Sequence, residues 1–245
     1  MTAAPDASPV LRLRDVAKTY GAGEAAVAAL TGASLDVHGG EMVAVMGTSG
    51  SGKSTLLAIA GGLLAPTSGE VEVAGRPLAT LSTRRLAAVR REVIGFVFQD
   101  FNLLPSLTAL ENVALPLDLG GASTATARSE ARRALATLGM RERARSFPDE
   151  LSGGQRQRVA IARAIVGERR LLLADEPTGA LDSVTGEHVL EALRERADEG
   201  AAVVLVTHDA RHAAWADRIV YLGDGRIVDE TRAARPESLL SGGVQ

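Results

Sequence analysis

Eight residues, Gly47-Thr48-Ser49-Gly50-Ser51-Gly52-Lys53-Ser54, constrain this chain more than any other stretch. They follow a continuous apolar run, Met42–Met46, and lead into a helix-like run, Ser54–Ala60. The pattern G-x-x-x-x-G-K-[ST] between a strand and a helix is a phosphate loop. Its glycines let backbone N–H groups close around phosphate oxygens, and the helix N-terminus adds positive potential. Lys53 would then reach the β- and γ-phosphates, and Ser54 would ligate Mg²⁺. A plain Gly/Ser turn gives no reason for Lys53 and Ser54 to fall in those two places.

Three further apolar runs follow the same logic. Val93–Phe98, Leu171–Ala174 and Val203–Val206 are short and almost continuously hydrophobic, which fits strands buried on both faces of a parallel sheet. Each leads into polar residues: Gln99, then Asp175-Glu176, then Thr207-His208. Ligands of open α/β sheets bind beyond the carboxyl ends of the strands, so the four ends are expected to converge on one ligand. The rhythm predicts an α/β fold with a parallel sheet core. Elsewhere Val10–Val16, Ala33–Val37 and Glu70–Val73 alternate like half-exposed antiparallel strands. Ile219–Leu222 and Arg226–Val228 read as a hairpin around Gly223-Asp224-Gly225. All of these are expected in a smaller antiparallel β subdomain. From Ser106 to Arg145 the spacing turns helical, clearest over Arg128–Leu138 and broken at Gly120-Gly121. That span is expected to be a helical insert, and the tail from Arg232 to Gln245 is expected to fray.

At 245 residues, 46% hydrophobic and 23% charged, the chain has globular composition and room for one large domain. The lack of cysteine excludes disulfides and thiolate chemistry within it. A net charge of −3 offers no chain-wide attraction to nucleic acid or anionic lipid. Met1–Arg14 has no apolar signal-peptide core, and no apolar run approaches the ~18 residues of a membrane span. The chain is therefore expected to be soluble by itself.

Two more segments carry chemistry. Asp175-Glu176 puts two carboxylates at a strand end, where Asp175 can hold Mg²⁺ through water and Glu176 can polarise a water attacking a γ-phosphorus. Asp-Glu-Pro is also good turn sequence, and the phosphate loop is what favours the chemical role. In Leu151-Ser152-Gly153-Gly154-Gln155, Ser152 and Gln155 have capping-box spacing ahead of a helical stripe of Val159, Ala162 and Ile165. The two glycines leave that helix start bare, a second anion-seeking surface on one chain.

With these residues in view, the chain resembles the nucleotide-binding subunits of ATP-binding cassette (ABC) proteins over nearly its whole length. Gly47–Ser54 resembles their Walker A, Leu171–Glu176 their Walker B with the catalytic glutamate, and Leu151–Gln155 their signature, unaltered. Gln99 matches the Q-loop, Ala180-Leu181-Asp182 the D-loop and His208 the switch histidine. Tyr20, 27 positions before Gly47, falls where the family places an aromatic on adenine, or else it caps an edge strand. The resemblance implies a P-loop NTPase (RecA-like) core with an antiparallel β subdomain and a helical insert subdomain, in one nucleotide-binding domain. The β-layer and core would take about 8–99 and 150–230, the helical subdomain about 100–149, and a tail 231–245. ATP and Mg²⁺ are the implied cofactors. Lys53, Gln99, Glu176 and His208 would be catalytic, and Ser54, Gln99 and Asp175 would hold the metal. Tyr20, Gly47, Thr48, Ser49, Gly50, Ser51, Gly52, Lys53, Ser54, Thr55 and Asp182 would meet ATP. So would Ser152, Gly153, Gly154 and Gln155 from a second copy.

The family closes two such subunits head to tail, as a homodimer or with a second nucleotide-binding subunit. Each ATP then lies between one Walker A and the other's signature. Gly47–Leu57, Phe96–Asn102, Thr108–Val113 and Asp175–Ser183 further resemble the group containing LolD, MacB and FtsE subunits. That implies a separate polytopic membrane permease of the FtsX/MacB type, an exporter or mechanotransmission role, and a place on the cytoplasmic face of the plasma membrane. Leu64 departs from the Asp that many members carry after Gly-Gly-Leu, and Leu117–Arg145 matches loosely. Phe101–Leu104 is apolar for a loop and reads either as packing or as a groove for a permease helix. Arg84, Arg85, Arg90 and Arg91 read as the wet face of a helix, so no nucleic-acid partner is expected. A soluble cassette acting on nucleic acid or ribosomes is the alternative. His38, His188 and His212 are expected to be exposed.

Overall fold

The computed structural model describes residues 8–232. In chain order come β1 (Leu11–Tyr20), β2 (Val27–Val37), β3 (Met42–Met46), α1 (Lys53–Ala60), β4 (Ser68–Val73) and β5 (Arg76–Pro77). Then follow α2 (Thr83–Glu92), β6 (Ile94–Val97), α3 (Ala109–Leu119), α4 (Thr124–Thr137) and α5 (Gly153–Ile165). The rest is β7 (Leu171–Asp175), α6 (Ser183–Asp198), β8 (Ala202–Val206), α7 (Ala210–Ala213), β9 (Arg218–Gly223) and β10 (Arg226–Arg232).

Among the described residues the strands form two sheets, one ordered β10-β9-β3-β8-β7-β6 and the other β2-β1-β4-β5. The four continuous apolar runs are β3, β6, β7 and β8, and they pair in parallel, with Val43 beside Val204, Leu172 beside Val203 and Phe96 beside Leu173. Period-two alternation sends their side chains to two faces. Met42, Ala44, Leu172, Ala174, Val203 and Leu205 share a core with α3, α4, α5 and α6. Val43, Val45, Leu171, Leu173, Val204 and Val206 share the other with α1 and the small sheet. Strands covered on both faces have no wet side, which is why these runs lack polar alternation.

The hairpin at the end of the chain corrects the sequence expectation. β9 does not enter the small sheet; it pairs in parallel with β3, Ala44 beside Ile219, and β10 closes that edge antiparallel. Its alternation arises because Val220 and Leu222 are buried while Tyr221 is exposed, so one covered face imitates a free-standing ribbon. Thr231 and Arg232 belong to β10, and the remainder of the expected tail lies outside the described residues. The helical insert forms, but it is not a separate body. α3 and α4 pack on each other and on α5, and Ala109, Val113, Leu135 and Ile161 join the same core as Leu172 and Leu205. α5 lies so close to the sheet that a Cβ on Gly95 of β6 would stand 2.0 Å from the Ala164 carbonyl oxygen. Among the described residues no helix is long and apolar enough to cross a membrane.

Candidate active site

The turn from β3 into α1 is set by glycine. Gly52 has φ 104°, and a Cβ there would meet the Ala29 carbonyl oxygen at 2.3 Å. α1 starts without a side-chain cap, so its first N–H groups remain for a ligand. Lys53 Nζ donates to the Gly47 and Thr48 carbonyls at 2.8 and 2.7 Å, folding the ammonium back over the loop. Beside this loop is a cavity of about 410 Å³. Gly47, Ser49, Gly50, Gly52, Lys53, Ser54 and Thr55 line it from one side, and Gln99, Asp175, Glu176 and His208 from the other. The strand ends of β3, β6, β7 and β8 thus converge as expected. Thr48 and Ser51 are in the loop but not in the cavity wall, and Ser51 is buried with its hydroxyl unpartnered. Tyr20 ends β1 alongside, its hydroxyl 3.4 Å from Thr55 Oγ1 and its ring 5.5 Å from Lys18 Nζ.

Burial raises the Asp175 pKa, a hydrogen bond from Ser54 opposes that rise, and the neighbouring Glu176 charge adds to it. A buried carboxylate beside a hydroxyl and the Gln99 amide is an all-oxygen donor set, which suits Mg²⁺. Glu176 follows β7 with φ 48°, in the left-handed region, and its N–H donates to Val206 O at 3.0 Å. That conformation aims the carboxylate at His208, whose Nδ1 lies 2.8 Å from Oε1. The hydrogen bond and charge of Glu176 raise the His208 pKa. His208 is 78% exposed in its side chain against 19% for Glu176, so the imidazole is the outer member of the pair.

Ser152 and Gln155 make the anticipated capping box: Ser152 Oγ accepts from Gln155 N at 3.2 Å, and Gln155 Oε1 from Ser152 N at 2.9 Å. None of Ser152, Gly153, Gly154 or Gln155 lines the phosphate-loop cavity of its own chain. Gly153 faces open space, while a Cβ on Gly154 would come within 3.1 Å of Leu181 and 3.3 Å of the Ala180 carbonyl. Asp182 also lies outside the cavity; it caps α6 by accepting from Thr185 N and Oγ1 at 2.9 and 2.8 Å, bonds that lower its pKa. His188 is exposed as expected, but His38 and His212 are not. His212 turns inward because its Nδ1 finds the buried Thr178 hydroxyl at 3.0 Å, and His38 is half-buried with its Nδ1 enclosed and unpartnered. Three residues that sequence reasoning left unassigned hold the loop after Gln99: Asn112, Arg156 and Arg163. Asn112 is fully buried and bonds both the N–H and the carbonyl of Leu104. Its only signal was a polar residue at an apolar helix position.

This geometry can hold a triphosphate and a hard cation and can polarise a water. The sequence profile of the family described as ABC transporter matches residues 30–179. The chain belongs to the ABC transporter family. The cassette is 50% identical over 94% of its length to the macrolide export ATP-binding/permease protein MacB 1/2 of Paracoccus denitrificans, covering 34% of it. It is 47% identical over 96% of its length to the pyoverdine export ATP-binding/permease protein PvdT of Pseudomonas fluorescens, covering 36% of that protein. The ABC cassette thus spans about a third of the length of the curated relatives it matches. The solved dimeric structure of the bacterial ABC transporter cassette MJ0796 superposes with TM-score 0.87 at 45% identity, covering 91% of this chain and 99% of that one. The same relative has been solved in a post-hydrolysis state bound to ADP and Pi. The protein is an ABC-type ATPase with a P-loop NTPase fold.

Proposed function

We propose that this ATPase closes head to tail with a second nucleotide-binding subunit on two ATP molecules and thereby energises a membrane permease. The observation that carries the reading is the intact signature, 151–155, lying outside the cavity that holds Lys53. One chain carries both halves of an ATP site on different surfaces, so a second copy completes it. In that dimer Ser152, Gly153 and Gly154 of one copy donate to the γ-phosphate bound by the other, where charge develops during transfer. Ser49 to Thr55 cradle the phosphates, Lys53 leaves its carbonyls for the β/γ-oxygens, and Tyr20 lies under the adenine. Ser54, Gln99 and Asp175 are the residues that would hold Mg²⁺, which when bound neutralises charge on the β- and γ-oxygens. Glu176 takes a proton from the attacking water, and His208 fixes the Glu176 carboxylate and reaches toward the γ-phosphate. Asp182, beside Glu176 and His208 in a neighbouring cavity, faces the second copy.

The work goes to a polytopic membrane partner, and the proposed place is the cytoplasmic face of the plasma membrane. Support comes from the export relatives and from an apolar cleft of about 360 Å³ lined by Leu63, Phe96, Phe98, Leu115 and Leu119 among others. Arg90 and Arg91, expected on a wet face, are half-buried and line that cleft, whereas Arg84 and Arg85 are exposed. The proposed role is that of an exporter or mechanotransmission energiser. Affinity purification from detergent extracts tests it: a polytopic membrane protein should co-purify, and recovery with ribosomes or DNA instead would contradict it.

A further inference from the structure

Gln99 hangs on a loop of costly backbone shape. Phe101 (φ 59°) and Asn102 (φ 48°) are consecutive non-glycine residues in the left-handed region, where Cβ crowds the following carbonyl oxygen. Asparagine tolerates that region better than phenylalanine, so contacts from outside must hold the pair. The two ends of the loop are fixed. Phe98 stacks on Phe96 with centroids 4.2 Å apart, and Asn112 binds Leu104 from both sides. Between them one side chain grips the turn: Arg163 of α5 donates through Nη2 to the Phe101 carbonyl at 2.7 Å and through Nη1 to the Asn102 carbonyl at 2.5 Å. Arg156, on the same helix, places its guanidinium 5.9 Å from the Phe101 ring centroid. Arg163 is half-buried, and that desolvation lowers its pKa.

We infer that Arg163 is a positioning residue for ATP hydrolysis: its two-pronged hold on the Phe101 and Asn102 carbonyls maintains the turn that delivers Gln99 to the phosphate-loop cavity. The inference rests on the role proposed above for Gln99. Arg163 also lines the apolar cleft, so a segment seated there meets the group that sets Gln99.

Lysine keeps the charge of Arg163 but replaces its rigid planar fork, with a separate nitrogen for each carbonyl, by a compact ammonium on a flexible stem. Arg163→Lys in the full chain is expected to lower kcat about tenfold and leave KM for ATP within about twofold, because the ATP-contacting loop is untouched. Hydrogen exchange over 98–104 should accelerate in the variant without change in the sheet, a readout that needs no turnover. Adding Phe101→Gly removes the left-handed cost and should restore roughly a third or more of the rate. A loss of kcat together with ATP affinity, and no rescue by glycine, would overturn the inference. Gln99→Ala separates the two readings. Unchanged kcat in Gln99→Ala sinks the Gln99 role itself. Slowed turnover there, with wild-type kcat and loop exchange in Arg163→Lys, sinks the Arg163 inference alone.

Discussion

Glu176 joins backbone strain to a side-chain contact with His208. A non-glycine residue at φ 48° costs on the order of 1–3 kcal/mol, and here it aims a carboxylate at His208. Because that contact raises the His208 pKa, its stabilisation is complete below about pH 6.5 and fades as pH climbs through the raised value. An NMR titration should find His208 titrating above about 6.5, with Glu176→Gln moving it back toward that value. Identical titration in both proteins would contradict the contact. At this scale the phosphate loop, Gln99, Asp175, Glu176 and His208 were legible because each ends an apolar run, and strand ends meet in a parallel sheet. Arg163 was not. It reaches carbonyls 61 and 62 positions away, and on a helical stripe it is indistinguishable from a solvent-facing arginine. His212 escaped for the same reason, since its partner Thr178 is 34 positions distant.

α5 is the element on which the arrangement depends. It starts at the signature glycines, packs beneath β6 at Gly95, and carries Arg156 and Arg163 toward the loop after Gln99. Gly95→Ala would drive a methyl into the Ala164 carbonyl and should destabilise the fold by roughly 1–3 kcal/mol, read as a lower denaturant midpoint. An unchanged midpoint would mean that α5 can retreat from the sheet at no cost. Core strands and the helical insert were visible from hydropathy alone, as periodicity reports how many faces are covered. The place of β9 was not, because a strand buried on one face shows the same alternation beside the edge strand of a mixed sheet as in an antiparallel layer.

At the scale of the molecule, one sheet divides two cores, and the helical insert shares one of them with the strands that carry the site. A shift of the insert would therefore be felt at the strand ends that line the phosphate-loop cavity. The same architecture leaves the signature outside the cavity of its own phosphate loop, as the proposed clamp of two copies requires. In the proposed clamp ATP joins two copies and hydrolysis parts them. Light scattering on Glu176→Gln with and without ATP measures this directly. The expected result is a single-chain mass without nucleotide, a doubled mass with ATP, and loss of that doubling when Ser152→Arg is added. A single-chain mass at saturating, bound ATP, or a doubled mass that survives Ser152→Arg, would contradict it.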